Sequence, residues 1–206
     1  MSITILEPSQ LNLKTELLEQ KHSFYVTAPL PQQGCTSVVM SLGIHLQKTT
    51  QRNVLIVDGN QGTVSARNHE SSANGFSNIN SDINVDMVKS WIKSDFEHPI
   101  DILPFGNNLD SAAQLSQLEA YRFMLSSLKR DYSYILLDAP NVSVSKSSLR
   151  IAQAFDGAIL VVASESAKKG VAKHACEQLE MFGAKLIGSI FNRRKHYIPQ
   201  VIYDLI

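Results

Sequence analysis

A chain of 206 residues, 44% of them apolar, can bury one sizeable core and is too short for two full domains, so a single domain over 1–206 is expected. Its 19 basic and 19 acidic residues balance, and no net field draws it to nucleic acid or to an anionic membrane. Cys35 and Cys176 lie far apart without a C-x-x-C pattern, and the six histidines show no H-x-x-x-H spacing, which argues against a disulfide framework and a zinc site.

The N-terminal ten residues carry Glu7 and Pro8 instead of a basic start and an apolar stretch, so no signal peptide is read there. No run of about 18 apolar residues occurs, and the expected location is the cytoplasm. Within a lead-in segment 1–22, Leu11, Leu13, Leu17 and Leu18 behind Ser9 predict a helix over 9–20. From there, apolar runs of strand length alternate with helix-length stretches. Strands are expected at 23–28, 54–58, 101–104, 134–138, 157–163 and 185–191, and helices at 36–48, 85–94, 111–130, 147–154 and 167–182. The runs are continuous rather than alternating, as in strands covered on both faces of a parallel sheet. The fold class is therefore α/β, a doubly wound, mostly parallel sheet flanked by helices. Residues 61–81 are rich in Ser, Asn and Gly and read as a mobile loop at the edge of the ligand face. Trp91, with Val88 and Ile92, reads as helix packing within 85–94.

After the first strand comes Ala28-Pro-Leu-Pro-Gln-Gln-Gly34-Cys35-Thr36-Ser37, followed by an apolar helix. This is the spacing of a phosphate-binding loop. Such a loop wraps backbone N–H groups around phosphates, opens a helix whose N-terminus favours anions, and places a lysine and then a Ser or Thr at the helix start. Here Cys35 stands where the lysine belongs, and Gln32 where a glycine is expected. Two later strands end in acids, Val54-Leu-Ile-Val-Asp58 and Tyr134-Ile-Leu-Leu-Asp138. Both carboxylates fall at the strand edge where open α/β sheets bind ligands. Burying either without a charge partner is costly, so a binding role is the more economical reading.

These blocks together resemble the bacterial tyrosine kinases of exopolysaccharide and capsule biosynthesis, the BY-kinases, which are P-loop proteins related to the MinD/ParA ATPases. Val26-Thr-Ala-Pro-Leu-Pro-Gln-Gln-Gly-Cys-Thr-Ser is similar to VTSPxPGEGKST, Val54-Leu-Ile-Val-Asp58-Gly-Asn60 to VLLIDAD, and Ile100-Asp-Ile-Leu-Pro-Phe-Gly106 to LDVLPAG. Tyr132-Ser-Tyr-Ile-Leu-Leu-Asp138-Ala-Pro resembles YDYVIIDTPPV, Asp156-Gly-Ala-Ile-Leu-Val-Val resembles ADGVLLVV, and Gly188-Ser-Ile-Phe-Asn192-Arg-Arg resembles GVVLNRR. The resemblance implies ATP or ADP with Mg2+ as cofactors. It implies a nucleotide site built from Pro31, Gln33, Gly34, Cys35, Thr36, Ser37 and Asn192, with Asn192 at the base. Thr36, Asp58 and Asp138 would hold the metal, the two aspartates as catalytic groups, and Tyr197 and Tyr203 would be phospho-acceptors. It further implies a cytoplasmic protein, peripheral to the inner membrane, whose partner is the cytoplasmic segment of a membrane polysaccharide co-polymerase.

The departures bear on activity. Loss of the lysine removes a charge-assisted phosphate contact worth about 1.5–3 kcal/mol in the ground state. In the transition state, removal of one preorganised group commonly costs about a hundred- to a thousandfold in rate. Asn60 replaces the second acid of VLLIDAD, and the lead-in helix offers only Lys14 and Glu16 where the family carries a ring-assembly motif. Three readings follow: a nearly inactive regulatory member of the kinase family, an active autokinase recruiting Lys146 or Arg193 in place of the lysine, or a MinD/ParA-type positioning ATPase. The last needs a signature lysine early in the loop, and 27–33 has none. Cys35 at a helix N-terminus also invites a lowered thiol pKa and a redox role. The Arg193-Arg194-Lys195-His196 run reads as a solvated edge.

Overall fold

The computed structural model describes residues 21–59, 75, 79, 84–95, 98–104, 115–144, 146–164 and 168–193, with the side chains at 115–117, 146 and 147 left aside. The expected helix over 9–20, the tail tyrosines Tyr197 and Tyr203, and most of 61–81 lie outside them. In chain order the elements are β1 (Ser23–Thr27), α1 (Cys35–Thr50), β2 (Val54–Asp58), α2 (Val85–Ser90), β3 (Lys93–Ser94), β4 (Asp101–Pro104), α3 (Leu115–Leu128), β5 (Tyr134–Asp138), α4 (Lys146–Ile151) with a 3-10 turn at Ala152–Ala154, β6 (Gly157–Ala163), α5 (Lys169–Met181) and β7 (Leu186–Asn192).

The sheet runs β3-β4-β2-β5-β1-β6-β7, parallel throughout except for β3 against β4. Every residue of β1, β2, β5 and β6 is buried, which explains the continuous apolar runs: each face of these strands meets a layer. Period-two geometry sorts the side chains between two clusters. Phe24, Val26, Ile56 and Leu136 face α1, through Val38, Val39 and Leu42. Tyr25, Leu55, Val57 and Leu137 face the other way, onto Tyr121, Met124 and Leu125 of α3 and onto residues of α4 and α5. Ile79 is buried in this second cluster, so one residue of the stretch read as a mobile loop is a core residue. Among the described residues, no helix is long and apolar enough to cross a membrane.

Two expected boundaries are corrected. The helix over 85–94 stops at Ser90. Its start is fixed by Asn84, whose side chain accepts from the Met87 N–H at 2.8 Å, and Trp91 closes it through its N–H to the Val88 carbonyl. Lys93 and Ser94 then pair with Ile102 and Asp101, and the Ser94 hydroxyl donates to the Asp101 carboxylate at 2.6 Å. An unpaired sheet edge outcompetes one more helical turn, and Trp91 and Ile92 pack on the core from just past the helix. Similarly, the helix over 147–154 ends at Ile151 and tightens to a 3-10 turn before β6.

The topology places the site. From β1 the chain crosses through α1 to β2 on one side, and from β5 it crosses to β6 on the other. Where strand order diverges in this way, a crevice opens at the carboxyl ends of the strands. The loop after β1 enters that crevice.

Candidate functional site

The loop 28–34 is anchored at both ends by backbone. The Val142 N–H donates to the Ala28 carbonyl at 2.9 Å, the Ala139 N–H to Val26 at 2.8 Å, and the Val38 N–H to Gly34 at 3.1 Å, opening α1. Gly34 has φ 80° and ψ 28° and caps the helix without a side-chain hydrogen bond, and the first turn carries no acid. A helix start without a side-chain cap or acid leaves its N–H groups for an anion. A Cβ on Gly34 would lie 2.3 Å from the Asn192 amide nitrogen, so only glycine fits there. Gln32, standing where the motif expects glycine, keeps the left-handed backbone that position needs, with φ 60°. For a residue with a Cβ this costs roughly 1–2 kcal/mol.

Buried side chains tie the loop to the far half of the sheet. Gln33, 4% exposed, accepts on its Oε1 from the Ala163 N–H at 2.7 Å, and its carbonyl accepts from Asn192 Nδ2 at 2.8 Å. Ala163 and Asn192 are register partners at the ends of β6 and β7. Asn192 Oδ1 accepts from the Arg193 N–H at 2.9 Å. The amide that the resemblance assigned to a base thus pins the phosphate loop, and the buried Gln33 carries a clamp that sequence reading had not given it. No local pattern signals either contact.

Thr36 stands on the first turn of α1, and its hydroxyl donates to Asp138 Oδ2 at 2.6 Å. Asp138 and Asp58 are fully buried and are register partners on β5 and β2. After Asp58 the chain passes so close to β5 that a Cβ on Gly59 would lie 2.4 Å from the Asp138 carbonyl oxygen. A hydroxyl and two carboxylates on adjacent elements form an all-oxygen set of the kind magnesium takes alongside phosphate and water.

Cys35 is buried beside that acid. Burial, the nearby Asp138 charge and a hydrogen bond to Asp138 push its thiol well above the ordinary range. This corrects the expectation of a lowered pKa: the helix N-terminus is outweighed by desolvation and a neighbouring anion.

A cavity of about 500 Å³ opens over the loop, within the size range of small-molecule sites. Pro31, Gln33, Gly34, Cys35 and Thr36 wall it, together with Asn141 and Arg193. Ser37 lies one residue deeper in α1, its carbonyl accepting from the Ser41 hydroxyl at 2.8 Å, and is not among the wall residues. Asp58, Asp138 and Asn192 are not among the wall residues either; Asp138 touches the wall through the Thr36 hydroxyl. Of the two cations considered as stand-ins for lysine, Lys146 has its side chain outside the described residues, whereas Arg193 belongs to the cavity wall.

The family described as cellulose biosynthesis protein BcsQ matches residues 32–182, well over half of the chain. A tyrosine-protein kinase CpsD of Streptococcus agalactiae serotype III is 30% identical over 92 residues, which is 45% of this chain and 40% of that protein. The chain thus aligns with less than half of that curated relative. Among solved structures, the VpsO kinase domain superposes with a TM-score of 0.72 at 22% identity, covering 88% of this chain and 89% of that one. The septum site-determining protein MinD from Pyrococcus horikoshii, solved with Mg-ADP, gives 0.63 at 17% identity, covering 90% and 77%. The likeness to BY-kinases read from the motifs is borne out, and so is the MinD/ParA-like sheet.

Proposed function

Because the chain belongs to the cellulose biosynthesis protein BcsQ family, we propose that it serves bacterial polysaccharide synthesis or export as a nucleotide-holding regulator that transfers phosphoryl groups weakly or not at all. The observation that carries this is the pairing of a well-formed phosphate loop with Cys35 at the lysine position. Positive-φ geometry at Gln32 and Gly34, a helix start without a side-chain cap and the Gln33 clamp are retained. The mobile cation that would follow charge onto the transferring phosphate is replaced by a short, neutral thiol turned towards Asp138.

In this reading Thr36, Asp138 and Asp58 hold magnesium, and the loop amides hold the phosphates. Magnesium, when bound, would neutralise phosphate charge. Without it, the Thr36 hydroxyl keeps its place by donating to Asp138, so the oxygen set is preorganised. The partner is the cytoplasmic segment of a membrane polysaccharide co-polymerase, to which a nucleotide-dependent surface would respond. The likeness to tyrosine-protein kinase CpsD supports that partner class.

Calorimetric titration with Mg-ADP and Mg-ATP, on the natural chain and on Thr36→Ala, tests the binding half. Binding in the micromolar range that requires magnesium and weakens about tenfold or more in Thr36→Ala is expected. Affinity indifferent to both magnesium and Thr36 would sink the metal assignment.

A further inference from the structure

We propose that Arg193 supplies the cation of the phosphate loop, reading the phosphate oxygens of a nucleoside di- or triphosphate from over Gly34, next to the position where a loop lysine would start. The proposal rests on the nucleotide reading above and assigns a residue to the charge that reading leaves missing. Three observations converge on it. Arg193 belongs to the wall of the cavity over the loop. Its Nε lies 3.9 Å from the point a Cβ on Gly34 would occupy, so the guanidinium hangs over the residue whose peptide opens α1. Its backbone is held in the left-handed region, with φ 56°, by two contacts: its N–H donates to Asn192 Oδ1, and its carbonyl accepts from the Ser164 hydroxyl at 3.4 Å.

The left-handed residue follows directly on Asn192, the last residue of β7. An arginine seldom adopts that conformation unless its surroundings impose it. Here the same Asn192 that pins Gln33 also turns Arg193, so loop and cation are set by one side chain. A planar guanidinium suits phosphate oxygens, offering paired donors where an ammonium offers a point charge. Cys35, which also walls the cavity, offers a short thiol without positive charge, which leaves that charge to Arg193.

The test is titration of the purified chain with Mg-ADP and with Mg-pyrophosphate, repeated on Arg193→Ala, Arg193→Lys and Cys35→Lys. Arg193→Ala is expected to weaken both ligands by about ten- to a hundredfold, with the ligand-free melting temperature unchanged because the side chain is exposed. Arg193→Lys should fall between. Affinities in Arg193→Ala equal to those of the natural chain overturn the Arg193 assignment and leave the nucleotide reading standing. So does an effect confined to Mg-ADP, since the contact would then be to base or ribose, and so does nucleotide binding that appears only in Cys35→Lys. If neither the natural chain nor Cys35→Lys binds either ligand, the nucleotide reading falls as well.

Discussion

Cys35 is 8% exposed and sits at a helix start, a combination in which two effects on a thiol compete. The helix dipole favours the thiolate by a fraction of a kcal/mol up to about 2 kcal/mol; burial beside the Asp138 carboxylate opposes it and wins. Alkylation should therefore be slow at neutral pH and should speed up only as pH rises well past the ordinary thiol range. In a Cys176→Ser background, reaction with iodoacetamide is expected to be about a hundredfold slower in the folded protein than in urea. A fast rate already level below pH 8 would mean a stabilised thiolate and a redox-competent residue. The lost lysine, the phosphate-loop spacing and the strand-end acids were all legible from residues in order. The Gln33 contacts were not, because Ala163 and Asn192 lie 130 and 159 residues away in sequence, and only the folded sheet brings them together.

At the scale of elements, Asp156 joins the starts of β1 and β6 to the end of α3, at the end of the sheet opposite the site. Its carboxylate accepts from the backbone N–H groups of His22 and Ser23, each at 3.0 Å, and from Lys129, just past α3, at 2.8 Å. Burial alone would raise its pKa; the hydrogen bond from Lys129, the backbone donors and the Lys129 charge outweigh it and lower the value from 3.8 to about 2. A carboxyl with a depressed folded pKa contributes stability above its unfolded value and loses it as pH falls through the folded one. The loss therefore falls between about pH 4 and pH 2. After discounting for solvent screening of this partly exposed pair, it amounts to about 1 kcal/mol. Urea unfolding at pH 6 and at pH 2.5 should show a drop larger by that amount in the natural chain than in Asp156→Asn; equal drops would remove Asp156 as the cause. The six parallel strands were legible to within a residue or two at their ends: burial on both faces writes a continuous apolar run in β1, β2, β5 and β6, whereas β4 and β7 are only partly buried and are marked by shorter apolar stretches. β3 was not, since two exposed residues carry no periodic signal, and its pairing depends on an edge supplied by β4.

Across the whole molecule, the sheet delivers four separate stretches of chain to one crevice: the loop after β1, the acids ending β2 and β5, and the Asn192-Arg193 turn after β7. Each stretch is short, and each is fixed by strands buried on both faces or by a buried side chain, so the crevice keeps its shape without a lysine in it. In the proposed reading binding and catalysis separate at this scale: loop amides and Arg193 hold the ground state, while the transition state asks for a lysine at position 35 able to follow the transferring phosphate. The measurement that tests this most directly is single-turnover release of phosphate from Mg-ATP by the natural chain and by Cys35→Lys, with nucleotide occupancy measured in the same samples. The account predicts comparable occupancy, turnover near the uncatalysed background in the natural chain, and a gain of about a hundredfold or more in Cys35→Lys. Turnover in the natural chain equal to that of Cys35→Lys and well above background would contradict it.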